Sequence, residues 1–347
     1  MALRVLHLVG SAVSDFFCDL SRLYARDCLG AIDDPDRYEP VIAYVTPGGR
    51  WQFPDNLSTT AIARAPVLSA AEAVARITSK PVDVMVPQMF CLPGMTSYRA
   101  LFDQLDIPYV GNPPDVMALA AHKARAKAVV AAAGVAVPRG EIVRSGEHPG
   151  IASPAVVKPI DADNSLGVTL VRDQAGFAAA IESACAHAEA ALVEEYIELG
   201  REVRCGIIVR GGQLLCLPLE EYRVDPDRKP IRDADDKLAR NPDGELALVA
   251  KERTRAWILD PHDPITADVW DAARRCHVAL GCRDYSLFDF RVDPGGRPWF
   301  LEAGLYCSFA RQSVISMMAA AAGIALDELF ANALVSALGI KTLSSSR

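Results

Sequence analysis

The sequence predicts an α/β protein whose first part is a doubly wound parallel sheet and whose second part consists of two α+β segments. In the first part, short apolar strands alternate with helical patterns, which is typical of a parallel sheet with crossover helices. From Ala155 onwards the order becomes strand, loop, strand, helix, strand, which favours a small α+β domain. With 347 residues, the chain is long enough for two or three domains with well-filled cores.

Composition argues against several classes of function. The formal net charge of −8 is unfavourable for a general nucleic-acid binder or a binder of anionic membranes. No apolar run reaches the length of a membrane span, and residues 1–10 predict a buried strand rather than a signal peptide. The nine cysteines form no C-x-x-C pair and the six histidines show no metal-ligand spacing, so we expect a cytoplasmic protein without a disulfide framework or a zinc site.

Strands and helices alternate along the N-terminal part of the chain. The predicted strands are 3–9, 41–45, 82–86 and 108–111, and the predicted helices are 15–29, 70–78 and 98–105. A longer helix is predicted from Asp115, as its N-cap, to residue 133, where Gly134 ends it. This order indicates an N-terminal domain at 1–114.

The rest of the chain predicts a central domain at 115–197 and a C-terminal domain at 198–347. Residues 223–263 are rich in charge and proline, which favours a functional flap or a disordered insert. The predicted elements are strands at 155–160, 168–171, 191–197, 202–209 and 213–219 and helices at 174–190, 266–280 and 313–338.

A hairpin near the C-terminus carries the most chemical information. Its strands read LFDFRV and PWFLEA, and the connection DPGGR has the composition of a turn. If Asp293 pairs with Pro298, then Asp289 lies directly opposite Glu302, and the alternate apolar residues point into a core. Facing carboxylates repel unless a cation lies between them, and Mg²⁺ prefers oxygen ligands completed by phosphates. The hairpin therefore suits a magnesium–nucleotide site; the alternative is a solvated strand face with acids placed by chance.

Ordered segments of the sequence resemble the ATP-grasp superfamily, and within it the D-alanine–D-alanine ligase group, over nearly the whole chain. The segments are IPYVG at 107–111, HKARAK at 122–127, VKP at 157–159, VEEY at 193–196, REV at 201–203, Asp289, and LEA at 301–303. A finer resemblance is to the ligase family of mycosporine biosynthesis. It lies in LHLVGS at 6–11, PQMFCLPGMT at 87–96, DNSLG at 163–167, YSLFDFR at 285–291 and LEAGLYCSF at 301–309.

The resemblance implies an ATP-grasp fold, in which two α+β domains that follow the doubly wound N-terminal domain clasp ATP. It implies that ATP is bound by Lys123 and Lys158 at the phosphates, Asn164 and Ser165 in the loop above them, Glu194, Glu195, Tyr196 and Ile197 at the adenine, and Glu202 at the ribose. Asp289 and Glu302 match the residues that bind Mg²⁺. Because Lys158 stands among valines, its ammonium also needs an anionic partner.

Three further residues match catalytic positions of the family. Lys237 in the flap matches a lysine that closes on the γ-phosphate, and Asp15 falls where the dipeptide ligases place an acid. Ser313, at a helix start that favours anions, aligns with a serine that receives the carboxylate of the incoming amino acid. Ser313 fits an ordinary N-cap about as well, and Lys123 also fits an ordinary helix lysine.

Two departures from the dipeptide ligases fall on one patch. The chain has Leu287 where those ligases carry an arginine and Gly304 where they carry a metal-binding asparagine, and the predicted register makes these two cross-strand partners. Together they predict a larger and less polar pocket, which suits the ring of mycosporine-glycine better than alanine. Arg291 shares a strand face with Asp289 and is predicted to replace the missing cation.

The N-terminal domain departs in the same direction. Its loop 88–96 lacks the acid of the dipeptide ligases and carries Phe90 and Leu92, which favours an apolar ring nearby. The main prediction is an ATP-dependent ligase that condenses mycosporine-glycine with an amino acid such as serine or threonine and releases ADP and phosphate. The alternatives are a D-alanyl-D-alanine-type dipeptide ligase and a non-catalytic ATP-binding module. The resemblance implies a homodimer, and no nucleic acid or membrane partner is expected.

Overall fold

The computed structural model describes residues 2–162, 167–225, 231 and 255–339, together with the strands Leu238–Arg240 and Leu246–Leu248. Within these residues the strands form four sheets. One sheet belongs to the N-terminal part, and two antiparallel sheets from the central and C-terminal parts build the candidate site.

The N-terminal sheet confirms the predicted parallel arrangement. Its strands are β1 (Leu3–Gly10), β2 (Tyr38–Val45), β3 (Trp51–Gln52) and β4 (Val84–Pro87). The central strand β1 is parallel to β2 and β4, while β3 adds an antiparallel edge. The strand expected at 108–111 is only a single bridge between Met85 and Tyr109, because Gly111 leaves the extended conformation with φ +92°.

Five helices surround this sheet, and three of them begin with serine caps, at Ser14, Ser58 and Ser69. They are α1 (Asp15–Ala31), α2 (Thr59–Arg64), α3 (Ala70–Ser79), α4 (Leu92–Met95) and α5 (Ser97–Gln104). The Ser14 hydroxyl accepts a hydrogen bond from the Phe17 amide, and Ser69 and Glu72 form a capping box at α3. The helices predicted at 15–29, 70–78 and 98–105 are therefore confirmed.

The long helix expected at 115–133 is wrong as a single element. It is divided into α6 (Pro114–Ala121) and α7 (Lys123–Ala132), and His122 between them has φ −90° and ψ 96°. The His122 ring accepts a hydrogen bond from the Arg125 amide at 3.3 Å, so the histidine caps the second helix. As a result Lys123 is the first residue of α7, and its amide donates to the Ile160 carbonyl at 2.9 Å.

The central sheet is antiparallel and covered by one helix. Its strands are β5 (Gly140–Val143), β6 (Ala155–Pro159), β7 (Thr169–Val171) and β8 (Ala191–Glu195), in the order β5-β8-β6-β7. The helix expected at 174–190 begins with a 3₁₀ turn and continues as α8 (Phe177–Cys185), which is shorter than predicted. Phe177 and Ile181 of α8 pack on the valines of the sheet.

The C-terminal sheet is larger and also antiparallel. Its strands are β9 (Arg201–Arg210), β10 (Gln213–Cys216), β11 (Glu220–Tyr222), β14 (Ala256–Ile258), β15 (Tyr285–Val292) and β16 (Pro298–Ala303). The order is β14-β11-β9-β15-β16, and β10 also pairs with β9. Helix α9 (Thr266–Ala279) covers one face, where Phe288, Phe290 and Val292 are at most 1% exposed, as predicted.

Part of the stretch expected to lack regular structure forms a hairpin. Its strands are β12 (Leu238–Arg240) and β13 (Leu246–Leu248), and they pair antiparallel.

The last helix predicted at 313–338 is also divided, into α10 (Val314–Ala321) and α11 (Leu326–Ala337), which meet at an angle of 111°. Gly323 between them has φ +77°, which ends α10. No single helix in the described part of the chain is long and apolar enough to span a membrane.

Candidate functional site

A cavity between the central and C-terminal sheets collects most of the predicted nucleotide and metal residues. Lys123, Lys158, Glu194, Glu195, Ile197, Glu202, Asp289, Arg291 and Glu302 line its walls. They come from the start of α7 and from strands of both sheets, so the cavity exists only when the two sheets are packed together. Asn164, Ser165 and Lys237 lie outside the described residues.

The hairpin places the two predicted metal carboxylates opposite each other, although its register differs near the turn. Val292, rather than Asp293, pairs with Pro298. A bulge between Asp289 and Phe290 then shifts the register, and Asp289 lies opposite Glu302 as predicted. The bulge therefore compensates for the wrong turn register, and the side chains of the facing acids remain on the cavity side.

Charged residues form a row across four strands of the C-terminal sheet, which we call the carboxylate row. Its members, each paired in register with the next, are Glu220, Arg204, Asp289 and Glu302. Arg204 donates from Nε to Oδ1 of Asp289 and from Nη2 to Oδ2, the latter at 2.9 Å. Burial opposes the charge of Arg204, but Asp289 outweighs burial, so the pKa of Arg204 lies well above its ordinary value. Sequence reasoning missed Arg204.

Arg291 occupies the neighbouring row, which corrects its predicted role. Its Nη2 donates to Glu202 at 2.8 Å, its Nη1 donates to the Ile197 carbonyl at 3.1 Å, and its guanidinium carbon lies 5.3 Å from the ring centre of Tyr196. A cross-strand partner is closer than the residue two positions along the same strand, so Arg291 pairs with Glu202. The guanidinium that pairs with Asp289 therefore belongs to Arg204.

Two buried lysines share one carboxylate at the opposite wall, and we call this group the lysine cluster. Glu194 lies 2.5 Å from the Nζ of Lys127 and 2.6 Å from the Nζ of Lys158. The anionic partner expected for Lys158 is thus Glu194. Because its carboxylate faces the two lysines, Glu194 is not free to accept a hydrogen bond from the adenine amine as the resemblance implied. Burial would raise the pKa of Glu194, but the lysines outweigh it and hold the pKa below its ordinary value.

Lys127 was quoted in the HKARAK segment but was not predicted as a site residue. It lies one helical turn after Lys123, and this spacing was the available signal. Burial lowers the pKa of Lys127 to about 7, although Glu194 acts in the opposite direction. Lys123 itself donates to the Ala162 carbonyl at 2.5 Å and lies 4.0 Å from Glu302, so it connects the two walls of the cavity.

Two predicted catalytic residues are not among those that line the cavity. Asp15 is exposed at the first position of α1. Ser313 is the N-cap of α10, where its hydroxyl is 2.8 Å from that of Ser316 and makes no capping hydrogen bond. The structure leaves their catalytic roles as predictions.

The patch at Leu287 is apolar, but it is not the enlarged pocket that we expected. Leu287 is 8% exposed and belongs to an apolar cluster with Ile315 and Met318 of α10, so core side chains fill this space. A Cβ placed on Gly304 would approach only Leu287, at 3.9 Å, so there is room for a side chain there. The space that we expected beside Leu287 therefore lies beside Gly304 instead.

An aromatic group from the N-terminal part faces this region. The ring of Phe90 lies between those of Tyr24 and Tyr306, with centre-to-centre distances of 5.3 and 5.4 Å. Burial raises the pKa of Tyr24 to about 12, while the charge of Arg204 acts to lower it. We call Tyr24, Phe90 and Tyr306 the aromatic wall. Leu92, which we expected to join it, is 45% exposed.

The residues present fit a magnesium–nucleotide. The lysine cluster and Lys123 supply positive charge for phosphates, and Asp289 and Glu302 supply the oxygen ligands that Mg²⁺ prefers. No group of three or more His, Cys, Asp or Glu side chains that could hold a metal ion occurs in the described ranges. Phosphate oxygens would therefore have to complete the coordination of the metal.

Sequence comparisons give relatives with a named activity. The model for the D-ala D-ala ligase C-terminus matches residues 140–335, more than half of the chain. The D-alanine–D-alanine ligase of Citrifermentans bemidjiense is 30% identical over 237 residues, covering 67% of this chain and 71% of that protein. The D-alanine–D-alanine ligase of Methylobacterium radiotolerans is 35% identical over 241 residues, covering 67% and 73%.

Solved structures share the fold over nearly the whole chain. The VanG D-Ala:D-Ser ligase from Enterococcus faecalis superposes with a TM-score of 0.75 at 19% identity, covering 97% of this chain and 100% of that one. The D-alanine–D-alanine ligase from Bacillus anthracis complexed with ATP gives 0.71 at 19% identity, covering 98% and 99%. Fold and site define an ATP-grasp ligase, an ATP-dependent enzyme that forms a C–N bond. The chain belongs to the D-alanine–D-alanine ligase family.

Proposed function

We propose that this enzyme uses ATP to activate mycosporine-glycine and couples it to a small amino acid such as serine or threonine. The observation that carries the proposal is the patch beside the metal carboxylates, where Leu287 and Gly304 stand in place of the arginine and asparagine of the dipeptide ligases. The aromatic wall on the facing N-terminal part adds apolar surface. An acceptor with a ring suits such surroundings better than the methyl group of alanine.

The chemistry of the acceptor suits an ATP-grasp site. In mycosporine-glycine the ketone is conjugated through the ring to nitrogen, so its oxygen is electron-rich and can attack the γ-phosphorus, and ADP leaves. The amine of the second substrate then adds to the activated carbon and loses a proton. The C–O bond breaks, phosphate leaves, and an imine remains. Asp289 and Glu302 would hold magnesium, which would neutralise charge on the phosphates.

The protein contributes mainly position and charge to this sequence. Lys123 and Lys158 are placed to hold the phosphates, and Glu202 with Arg291 lies at the end of the cavity proposed for the ribose. Glu195 and Ile197 border the part of the cavity proposed for the adenine. These groups hold the nucleotide while the acceptor oxygen approaches the γ-phosphorus, and such positioning is the main source of rate in phosphoryl transfer.

A second candidate is a D-alanyl-D-alanine-type dipeptide ligase. The curated relatives at 30% and 35% identity carry that name, and they support this candidate more directly than they support the mycosporine acceptor. It requires a carboxylate acceptor, which the apolar Leu287 and the aromatic wall favour less.

The test offers both acceptors to the purified enzyme. We would incubate it with ATP and Mg²⁺, adding either mycosporine-glycine with a mixture of amino acids or D-alanine alone, and follow phosphate release and product mass. The proposal predicts phosphate release and an iminomycosporine with the first set and little turnover with the second. Dipeptide formation without an iminomycosporine would overturn the proposal in favour of the second candidate. A Lys158→Met variant controls for contaminating activity.

A further inference from the structure

Arg204 is a charged residue of the carboxylate row for which we predicted no role. It lies on β9 between its register partners Glu220 and Asp289, and its side chain is 16% exposed. Its guanidinium carbon is 5.4 Å from the ring centre of Tyr222, whose hydroxyl donates to Glu220. An aromatic ring beneath the guanidinium and a carboxylate on each side hold it in one position. Arg204 is therefore an ordered part of the carboxylate row.

The contact with Asp289 conflicts with metal binding at the same carboxylate. Arg204 donates to both oxygens of Asp289, one through Nε and the other through Nη2. A metal ion on Asp289 would need lone pairs of these oxygens, and it would stand next to a guanidinium of the same sign. The arginine and the metal therefore compete for Asp289, and metal binding has to displace at least one of the two hydrogen bonds.

When a metal takes Asp289, Arg204 keeps the neighbouring Glu220, and the N–H groups that it withdraws from Asp289 are left to bond another oxygen. Along β15 the next residue on the same face is Leu287, which offers none. On the other side of Asp289, β16 leads from Glu302 to Gly304 and then to Tyr306 of the aromatic wall, whose ring packs on Phe90. Arg204 thus borders both the metal carboxylates and the proposed place of the acceptor. The oxygen that its released N–H groups would bond is an oxygen of the acceptor.

We propose that Arg204 neutralises Asp289 while the metal is away and binds the reacting oxygen of the acceptor once the metal occupies Asp289. In this way Arg204, on the neighbouring strand, supplies the positive charge that dipeptide ligases place at position 287. The inference rests on the proposed metal role of Asp289, and on the proposed function only for the identity of the acceptor. It makes Arg204 a catalytic residue in the acceptor half of the site.

The test measures Mn²⁺ affinity by the electron paramagnetic resonance of free Mn²⁺, with a non-hydrolysable ATP analogue and no acceptor. We expect Arg204→Gln to bind Mn²⁺ about 5- to 20-fold more tightly than the wild type, because the competing cation is gone. Arg204→Lys, which keeps the charge but not the paired contact, should show a smaller increase. Arg201→Gln is the matched control: Arg201 lies on the same strand and pairs with Glu221 and Asp263. Its Mn²⁺ affinity should equal that of the wild type.

The second readout is steady-state kinetics with the acceptor that supports turnover. For Arg204→Gln we expect kcat to fall about 100-fold with the KM for ATP nearly unchanged, and Arg204→Lys to recover part of the loss. An unchanged or weaker Mn²⁺ affinity in both Arg204 variants would overturn the inference. The Mn²⁺ measurement contains no acceptor. It therefore tests the role of Arg204 even if mycosporine-glycine proves not to be a substrate. Melting temperatures of all variants report whether they fold.

Discussion

The two walls of the cavity are built from the same kinds of charged residue but in opposite proportions. In the lysine cluster, Lys127 and Lys158 share the single carboxylate of Glu194. In the carboxylate row, the three acids Glu220, Asp289 and Glu302 outnumber the single cation Arg204. One wall therefore carries an excess of positive charge and the other an excess of negative charge. A nucleotide whose phosphates face the first wall and whose metal faces the second would satisfy both.

The two walls also differ in which residue neutralises the like charges before a ligand binds. Glu194 bridges the two lysines of one wall, and Arg204 separates Glu220 from Asp289 in the other. The arrangement is useful because Glu194 and Arg204 are each outnumbered: the excess charge remains available for phosphates on one side and for a cation on the other. Changes in either wall should therefore affect different properties of the enzyme.

The largest effect is expected from removing a metal ligand of the carboxylate row. Glu302→Gln keeps the size of the side chain but loses its negative charge, so we expect kcat to fall about 100- to 1,000-fold. Saturating Mg²⁺ should restore a part of the loss, which a titration of activity against Mg²⁺ would measure. Glu328→Gln changes an exposed acid that pairs with Arg210 and should leave kcat unaltered. A kcat of Glu302→Gln equal to that of the wild type would remove Glu302 from the metal site.

The next effect concerns the lysine cluster. Glu194→Gln leaves two buried ammonium groups without their carboxylate, so we expect the free energy of unfolding to fall by about 3 kcal/mol. Urea denaturation followed by circular dichroism measures it. The exposed Glu182 of α8 provides the control, since Glu182→Gln should change stability by less than about 0.5 kcal/mol. Equal stability of the two variants would contradict the account of this cluster.

The lysine cluster also predicts a pH dependence. Burial lowers the pKa of Lys127 from its ordinary value of 10.5 to about 7. Between these pH values the unfolded chain binds more protons than the folded chain, so the contribution of Lys127 to stability rises with pH, by about 4 kcal/mol. The difference in unfolding free energy between the wild type and Lys127→Met should therefore grow from pH 7 towards 10.5. A difference that stays flat or shrinks over this range would show that burial does not lower the pKa of Lys127.

The smallest effect is expected at the aromatic wall. Phe90→Leu removes the ring that packs between Tyr24 and Tyr306, so the KM for the acceptor should rise about 5- to 10-fold while the KM for ATP stays the same. Leu92→Ala, in the same loop but 45% exposed, should change neither constant. Equal changes in both KM values for Phe90→Leu would indicate a general loss of structure instead of a contact with the acceptor.

Local sequence signals predicted much of the structure. The facing acids Asp289 and Glu302 follow from turn composition and strand alternation, although the turn register was wrong by one residue and a bulge restored the pairing. The parallel N-terminal sheet and the core-facing phenylalanines follow from apolar periodicity. In each case the deciding interactions lie within a few residues or within one hairpin.

The errors have a common physical origin in contacts between distant parts of the chain. Arg204 was missed and Arg291 was misplaced because the pairing of β9 with β15 joins strands about 80 residues apart, which no local pattern encodes. At the break at His122, the Lys123 amide bonds to the carbonyl of Ile160, just after β6, which is a contact distant in sequence. Leu287 was expected to widen a pocket, but helix α10 fills that space. Tertiary packing decided each of these features.

The central claim is that a metal–nucleotide lies between the lysine cluster and the carboxylate row. A crystal structure with Mn²⁺ and a non-hydrolysable ATP analogue, with the metal located by its anomalous scattering, tests it directly. The account predicts Mn²⁺ within about 2–2.5 Å of oxygens of Asp289 and Glu302, with Lys123 and Lys158 at the phosphates. Nucleotide bound at another site, or a metal that contacts neither carboxylate, would contradict it.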